Sequence, residues 1–438
     1  MKKSKLLLII LLLALLAAGA VIAVSGGPKE AARVLGQIFG GDGEDEADRK
    51  EKNEDAGQEA ADEADGSDAA KDGEAAAGGS EKTGETGGND GPDGNTAAAG
   101  SGSTEQEPAA EPVTITLSFA GDCTLGKDRN TGLAGTLPEA VKKYGDYSVF
   151  LSGVQEAFAN DDLTVVNLEG PLTTSDTIGV DKKFVFKGDP DYVNILTKGS
   201  VEAADTANNH SRDYGVQGLS DTKQVVSAAG ITVFGEKDPA IREVRGIKVG
   251  LVGVYELPYL KDCEGTMISD MENLKAQGAD LLIVCFHWGI EGQHRPDGNQ
   301  TYLARSAIDH GADLVIGHHP HVLQGIETYK GRQIVYSLGN FCFGGNKNPS
   351  DKDSMIYQQT FTFQPAVTGG KVPSISASTS SPTDGKAKNI SDYTSYKIIP
   401  CRLSSTAARN DYRPTILTGA EGQAVLDRIA SYSEGLSQ

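Results

Sequence analysis

Side chains that can bind metal ions or transfer protons follow five predicted strands, at the point where each strand ends. The set contains two carboxylates, three carboxamides and five of the seven histidines: Asp122, Asn167, Glu169, Asn208, Asn209, His210, His287, His318, His319 and His321. The carboxyl ends of strands in an open α/β sheet face the ligand crevice, so these side chains are expected to meet at one edge. An isolated Asp or His after a strand is usually a turn, cap or surface residue, which is how we interpret His294 and His310. The combined set instead indicates one polar site.

The donor types in this set point to divalent metal ions. Mixed imidazole, carboxamide and carboxylate ligands suit zinc, manganese or iron. A carboxylate bridging two such ions, ~3.5–4 Å apart, would form a two-metal hydrolytic site. A structural zinc site is disfavoured because it would use closely spaced cysteines, and the five cysteines show no Cys-x-x-Cys spacing. The cysteines are expected to be buried, and the sequence allows one disulfide among them.

The elements that must position these residues alternate between short apolar runs and helical patterns. Strands are predicted over 113–120, 163–166, 201–207, 231–234, 247–254, 280–286 and 313–316, with helices over 148–160, 190–197, 215–229, 271–277 and 300–310. Beyond these, strands are predicted over 324–329, 333–337, 356–363 and 396–403, a long loop over 366–395 and a helix over 422–435. Continuous β-branched runs are typical of strands covered on both faces, so an α/β sandwich is expected.

The first 112 residues have a different character. Lys2, Lys3 and Lys5 precede an apolar run from Leu6 to Val24. Residues 1–26 are therefore interpreted as a single-pass signal anchor, or as a signal peptide cleaved near residues 18–20. The anchor would leave the protein in the cell membrane with its folded domain outside the cytoplasm, and cleavage would make it secreted. Residues 27–112, rich in Gly, Ala and acidic residues, are predicted to be a disordered linker.

The charge of the chain excludes one broad class of function. The chain has 40 Lys and Arg against 61 Asp and Glu, a net charge of −21. Residues 41–112 hold 22 of the acidic and 5 of the basic residues, which is −17 of that total. No concentrated basic surface is expected in residues 113–438, so nucleic-acid binding is disfavoured.

Six motifs in order make the chain familiar. They are Phe119-Ala-Gly-Asp, Val166-Asn-Leu-Glu-Gly-Pro-Leu, Ala207-Asn-Asn-His, His287-Trp-Gly with Glu291, Gly317-His-His-Pro-His-Val and Tyr336-Ser-Leu-Gly-Asn-Phe. Over residues 113–345 the chain resembles the poly-γ-glutamate capsule biosynthesis proteins of the CapA type. The resemblance implies a four-layer α/β sandwich of metallophosphoesterase type, with a dinuclear metal site and an N-terminal membrane anchor. Residues 346–438 are then expected to complete the domain with strands, a loop and a helix.

The resemblance also implies roles for individual residues. The expected metal ligands are Asp122, Glu169 as the bridging carboxylate, Asn209, His287, His319 and His321. Asp122 and His210 are the expected catalytic residues, with His210 protonating the leaving group after attack by metal-activated water. Substrate contacts are expected from Asn167, Lys187, Glu291, Arg295, His318 and Asn340. One departure is clear, because the pattern Asp-x-His would place a histidine where this chain has Thr124.

Three functions remain open on this sequence. The first is capsule or related envelope-polymer synthesis with a metal-dependent hydrolase-like domain. The second is a non-catalytic accessory that binds anionic polymer, such as poly-γ-glutamate, within a synthesis or export complex. The third is a secreted phosphoesterase with another substrate.

Overall fold

Two β-sheets form the centre of the protein, in a computed structural model that describes residues 111–364, 390–393 and 395–436. The strands are, in chain order, β1 (Val113–Cys123), β2 (Lys127–Asp128), β3 (Leu163–Leu168), β4 (Phe186–Lys187), β5 (Ala203–Asp205), β6 (Thr232–Phe234), β7 (Ala240–Val244), β8 (Ile247–Tyr255), β9 (Leu281–His287), β10 (Leu314–His318), β11 (Ile326–Tyr329), β12 (Arg332–Val335), β13 (Asp353–Phe363), β14 (Ile390–Asp392), β15 (Tyr396–Arg402) and β16 (Thr415–Ile416). The α-helices are α1 (Leu137–Tyr144), α2 (Gln155–Ala159), α3 (Val193–Lys198), α4 (Gly215–Ala228), α5 (Glu264–Ala276), α6 (Gly298–Asp309) and α7 (Gly419–Ser433).

Both sheets are mixed, and each contains four consecutive parallel strands. The first has the strand order β16-β15-β13-β1-β3-β5-β6, with β14 paired to β13; β1, β3, β5 and β6 run parallel. The second has the order β11-β12-β10-β9-β8-β7, in which β12, β10, β9 and β8 run parallel. Parallel neighbours end at the same edge, so each sheet presents several strand ends side by side.

Alternation along the strands creates the layers. In β9, Leu281 and Ile283 belong to the core between the two sheets, whereas Leu282 and Val284 pack with residues of α5 and α6. On the first sheet, Val166 of β3 packs outward with residues of α2, α3 and α4. Both faces of the central strands are therefore covered, which explains their continuous apolar runs. The predicted four-layer α/β arrangement, helix–sheet–sheet–helix, is present.

Some element boundaries differ from the prediction. The expected helix over 148–160 is divided into a 3₁₀ turn at Tyr147–Val149 and the short α2. Gly153, between them, packs against the segment that leads into β16. A Cβ at position 153 would be 2.6 Å from the Pro414 carbonyl oxygen, and the Gly153 carbonyl accepts a hydrogen bond from the Ile416 amide. This contact with a distant strand replaces the middle of the helix.

Further differences concern length, number and cysteine pairing. Helix α5 begins seven residues before the predicted 271, while α1 and the strands β2, β4, β7, β14 and β16 have no counterpart in the prediction. Strand β14 lies where the end of the loop over 366–395 was predicted, because it pairs with β13. All five cysteines are buried, as expected, and all are free thiols, so no disulfide forms among them. The strands β13, β15 and β16 join the same sheet as β1, although the domain boundaries at 112 and 345 stay predictions.

Three predicted segments lie largely outside the described residues. They are the signal helix over 1–26, the linker over 27–112 and the loop over 366–395. In the ranges that are described, no helix combines the length and the hydrophobicity needed to span a bilayer.

Candidate metal centre

The ends of β1 and β3 in one sheet, and of β9 and β10 in the other, supply the main residues of the site. Asp122 and Asn167 are partners in the β1–β3 register, and His287 and His318 are partners in the β9–β10 register. The Asp122 amide donates to the Gly339 carbonyl at 3.0 Å, which joins the end of β1 to the chain that follows β12. The site therefore lies where the two sheets meet.

Asp122 is fully buried and contacts one amide and two imidazoles. Asn167 Nδ2 donates to its Oδ1 at 2.8 Å, while His321 Nδ1 lies 3.1 Å from Oδ2 and His318 Nδ1 lies 3.4 Å from Oδ1. Burial would raise the pKa of Asp122, but the two histidines outweigh it and hold the pKa well below its usual range. Asp122 is therefore an ionised carboxylate inside the protein.

Glu169 has one satisfied and one unsatisfied oxygen. Thr124 Oγ1 donates to Oε2 at 3.0 Å, whereas Oε1 is buried and has no hydrogen-bond partner. Two imidazole nitrogens lie near Oε1, Nε2 of His287 at 3.8 Å and Nε2 of His321 at 3.9 Å. Burial, with a further contribution from Asp122, raises the pKa of Glu169 to about 8.

Carboxamides hold His287 in place. Its Nε2 lies 3.0 Å from Asn209 Oδ1, and its Nδ1 lies 3.4 Å from Asn167 Nδ2. Asn167 is itself oriented by Asn208, whose Nδ2 donates to Asn167 Oδ1 at 2.9 Å. Burial first, then the neighbouring His319, lower the pKa of His287 well below its usual value, so the ring is neutral.

The loop after β10 has an unusual backbone at two of its histidines. His319 has φ +95° and His321 has φ +57°, in the left-handed region that residues with a Cβ rarely adopt. Such strain persists where surrounding contacts enforce it, and it is concentrated at functional sites. One contact is Asn340, whose Oδ1 lies 2.9 Å from His321 Nδ1 and whose Nδ2 donates to the His321 carbonyl at 3.1 Å.

The two left-handed histidines differ in charge state. Burial, then the adjacent His321, lower the pKa of His319 to about 3, and its Nδ1 is buried without a hydrogen-bond partner. Burial would also lower the pKa of His321, but Glu169 and Asp122 outweigh it and raise the pKa to about 10. His319 therefore offers a lone pair, whereas His321, when no ion is bound, is a cation held by the carboxylates it faces and must lose its proton to bind a metal ion.

His210 belongs to a separate hydrogen-bonded chain beside this cluster. Its Nδ1 lies 2.8 Å from Asp213 Oδ2, Lys182 Nζ lies 2.9 Å from Asp213 Oδ1, and the ring stacks on Phe186 at 4.0 Å. Burial and then Lys182 lower the pKa of His210 to about 4, against the opposing effect of Asp213. His210 is thus neutral near pH 7, with Nδ1 as donor to Asp213.

Two groups of side chains have the spacing of metal ligands. The potential ligand atoms of Asp122, Glu169 and His321 lie within 4.8 Å of one another, as do those of Glu291, His319 and His321. Glu291, expected from the sequence to contact substrate, therefore lies beside the metal-type histidines.

Lys187 and Arg295 lie elsewhere. Lys187 Nζ pairs with Asp176 at 2.6 Å, and Arg295 donates to the Glu434 and Ser431 carbonyls. Across the part of the chain that the structure describes, these contacts place neither cation against the histidine cluster.

Sequence reasoning did not identify several residues that orient the site. Thr124 was seen only as the absence of a histidine, and Asn208 was grouped with the polar strand-end residues without a role of its own, while Asp213 and Lys182 were not singled out. Asp213 does have a signal, since it follows His210 by three residues. Lys182 does not, because its contact with Asp213 spans 31 residues that include β4, α3 and β5.

The residues present fit a divalent metal ion. Metal–nitrogen and metal–oxygen bonds are ~2.0–2.2 Å, so two ligands of one ion lie roughly 3–4.3 Å apart. The separations of 3.8 and 3.9 Å between Glu169 Oε1 and the two imidazole nitrogens fall in that range. Buried ligand atoms without partners, at Glu169 Oε1 and His319 Nδ1, are costly unless something binds them.

The chain belongs to the family of bacterial capsule synthesis proteins named PGA_cap, whose family model matches residues 116–345. It is 29% identical over 265 residues to the PGA biosynthesis protein CapA of Bacillus subtilis (strain 168), covering 56% of this chain and 67% of that protein. It is 30% identical over 269 residues to the capsule biosynthesis protein CapA of Bacillus anthracis, covering 56% of this chain and 63% of that protein. The match thus spans less than two thirds of the Bacillus anthracis protein.

Solved structures give more distant similarities. The NAD nucleotidase of Haemophilus influenzae has a TM-score of 0.36 at 14% identity, covering 75% of this chain and 57% of that chain. The 5'-nucleotidase precursor of Thermus thermophilus has a TM-score of 0.37 at 14% identity, covering 73% and 58%. Scores this low carry no argument about chemistry, so the metallophosphoesterase comparison rests on the motifs.

Proposed function

We propose that this chain acts outside the cytoplasm, anchored by its N-terminal segment, in the synthesis of poly-γ-glutamate capsule or a related envelope polymer. We also propose that its folded domain is hydrolase-like and metal-dependent, with a centre that binds two ions of manganese, iron or zinc. The observation that carries the proposal is the buried Glu169 Oε1, which has no hydrogen-bond partner and faces two imidazole nitrogens. Family membership and the names of the two Bacillus relatives support the polymer.

The candidate ligands are Asp122, Glu169, Asn209, His287, His319 and His321. When bound, divalent ions supply Lewis acidity and stabilise developing negative charge on an oxygen of the substrate. The chain's own contribution is to fix the ligands before binding. Thr124 holds one oxygen of Glu169, and Asn340 holds His321, so that their remaining donor atoms face the centre.

His210 is positioned for proton transfer. Because Nδ1 donates to the Asp213 carboxylate, Nε2 carries the lone pair and is the nitrogen able to accept a proton. The pKa of about 4 means that His210 starts neutral, so it becomes a donor to a leaving group only after it has taken up a proton. Asp213 and Lys182 fix the tautomer and the orientation of the ring.

A second candidate function is a non-catalytic accessory that binds the anionic polymer. The observation that favours it is Thr124, which stands where the related metallophosphoesterase pattern has a histidine and uses its hydroxyl to bind Glu169. A centre with fewer ligands would hold metal less tightly. One relative, 28% identical over 209 residues, is a probable polyglutamine synthesis accessory protein of Mycobacterium tuberculosis.

Metal content of the purified full-length chain tests the proposal first. Wild type, Asp122→Asn, His287→Ala and the control His310→Ala, which alters an exposed histidine, would be measured by mass spectrometry after incubation with manganese, iron or zinc. We expect near-stoichiometric metal in wild type and control and its loss in the other two, with circular dichroism showing that all four are folded. Wild type without metal would overturn the hydrolase-like centre.

Turnover then separates the two candidates. The metal-loaded chain would be incubated with poly-γ-glutamate and with phosphoester substrates, and its products compared with those of His287→Ala. Product formation that depends on His287 supports the hydrolase-like centre. Binding of poly-γ-glutamate without any product, in the presence of bound metal, would favour the accessory.

A further inference from the structure

Glu291 lies at the side of the cluster where the histidine loop faces the chain that follows β9. Its potential ligand atom and those of His319 and His321 lie within 4.8 Å of one another. Glu291 is half-buried, and this spacing is close to the roughly 3–4.3 Å that separates two ligands of one ion. A carboxylate and two imidazoles form a donor set suited to manganese, iron or zinc.

The backbone around Glu291 is built to hold it there. Gly289 and Gly292 have φ +80° and +73°, which turn the chain sharply after β9. The Gly292 amide donates to the Pro320 carbonyl at 2.9 Å, which ties this turn directly to the loop that carries His319 and His321. The proximity of the three side chains therefore follows from a backbone contact between their loops.

A second observation indicates that this side of the cluster takes a ligand. His319 is 5% exposed, and its Nδ1 has no hydrogen-bond partner. A buried ring nitrogen without a partner is costly unless another group, such as a metal ion, binds it.

The chain also lacks one metal ligand of the Asp-x-His pattern, because Thr124 stands where that pattern has a histidine. Thr124 Oγ1 donates to Glu169 Oε2, so the side chain at position 124 orients a ligand instead of being one. Because metal ligands bind in their deprotonated forms, Asp122 and Glu169 would supply two negative charges against the four positive charges of two divalent ions. A third carboxylate would reduce that imbalance in a buried site.

We propose that Glu291 is a metal ligand, binding beside His319 and His321, and that it supplies the ligand that position 124 lacks. This inference rests on the proposed metal centre. This role differs from the substrate contact expected for Glu291 from the sequence. The two can be distinguished, because a residue that only contacts substrate leaves metal affinity unchanged.

The test compares metal binding by the full-length wild type, Glu291→Gln, Glu291→His and the control Glu243→Gln. Glu243 is exposed on β7, so its substitution removes the same charge away from the cluster. Manganese stoichiometry would be measured by mass spectrometry, affinity by titration calorimetry, and the environment of bound manganese by electron paramagnetic resonance. None of these readouts depends on turnover.

We expect Glu291→Gln to weaken manganese binding by at least about tenfold, since even loss of an outer hydrogen-bond partner costs ~10–100-fold. Loss of one ion would convert the spectrum of a coupled pair into that of an isolated ion. Glu291→His should recover part of the affinity, because imidazole is also a ligand, and Glu243→Gln should match wild type.

The outcomes separate this inference from the function on which it rests. Wild type that binds no metal would overturn both. Wild-type affinity, stoichiometry and spectrum in Glu291→Gln would overturn the ligand role alone and leave the centre in place. An equal loss of metal in Glu243→Gln would also overturn it, since the effect would then be one of overall charge.

Discussion

Carboxamide side chains orient the imidazoles of His287 and His321. Asn340 makes two contacts with His321, one to the ring Nδ1 and one to the carbonyl, and thereby helps to hold a residue whose backbone is in the left-handed region. Metal-binding histidines commonly use the second ring nitrogen in this way, which fixes their tautomer and direction. Asn340 therefore orients His321, while the substrate contact expected for it from the sequence stays a prediction.

Substitution of Asn340 tests that role. Asn340→Ala should lower manganese affinity by about 10–100-fold, with a stability cost of only about 1–2 kcal/mol from the lost hydrogen bonds. Titration calorimetry and urea unfolding measure the two effects, with the exposed Asn160→Ala as control. Unchanged metal affinity at the same loss of stability would show that Asn340 is merely structural.

Glu256 gives a pH dependence that belongs to one residue. It is 2% exposed, and burial, with a contribution from Asp297, raises its pKa from 4.5 to about 7. The folded protein therefore favours the protonated acid. Between pH 4.5 and 7 the carboxyl group of Glu256 ionises in the unfolded chain but stays protonated in the folded chain. Its contribution to the free energy of unfolding therefore falls as the pH rises.

Glu256→Gln should remove this fall, because the amide cannot ionise and its oxygen can still accept from Asn299. The variant should be more stable than wild type at about pH 8, by at most about 3 kcal/mol, and equally stable at about pH 4. Urea unfolding at acidic, near-neutral and mildly alkaline pH measures the difference, with Glu243→Gln as control. A difference that stays constant with pH would refute the assignment.

At the scale of elements, the end of β1 must approach the chain after β12 closely. A Cβ at Gly121 would lie 1.9 Å from the Gly339 carbonyl oxygen, the same oxygen that accepts from the Asp122 amide. Glycine at 121 is therefore required to place Asp122 at the junction of the sheets. The sequence showed this glycine only as part of a strand-ending motif.

Gly121→Ala should destabilise the protein by about 2–4 kcal/mol, since β1 must move and the hydrogen bond from the Asp122 amide to the Gly339 carbonyl is lost. Metal affinity should fall with it. Gly132→Ala is the matched control, because a Cβ there meets nothing within 4 Å. Thermal unfolding and manganese titration check both effects, and a Gly121→Ala protein with wild-type stability and affinity would contradict the argument.

The success of sequence reasoning differed between kinds of element. Strands β9 and β10 were predictable because burial on both faces leaves a continuous apolar run, and the residues at their ends followed. The division of the helix over 148–160 was not, because it depends on Gly153 meeting Pro414, more than 250 residues away. The Thr124–Glu169 bond was missed for the same reason, since a hydroxyl gives no pattern that identifies its partner.

At the scale of the whole molecule, the centre draws its residues from both sheets. Asp122 and Asn167 come from the first sheet, and His287 and His318 from the second. Without a metal ion, the interface between the sheets contains buried donor atoms with no partner, at Glu169 Oε1 and His319 Nδ1. A metal bound there would satisfy them and connect the two sheets, so its binding should stabilise the fold as a unit.

Metal binding and folding should therefore be linked. A ligand that binds only the folded state at about 100 times its Kd stabilises that state by ~2.7 kcal/mol, which corresponds to about 5 °C or more in Tm. Manganese should raise the Tm of the full-length chain by about this amount, and chelation should reverse the change. Asp122→Asn should lose the response and should also have a lower metal-free Tm than wild type, because the amide removes one of the two carboxylates that face the His321 cation. A Tm that does not respond to metal, in protein shown to bind it, would mean that the centre does not hold the sheets together.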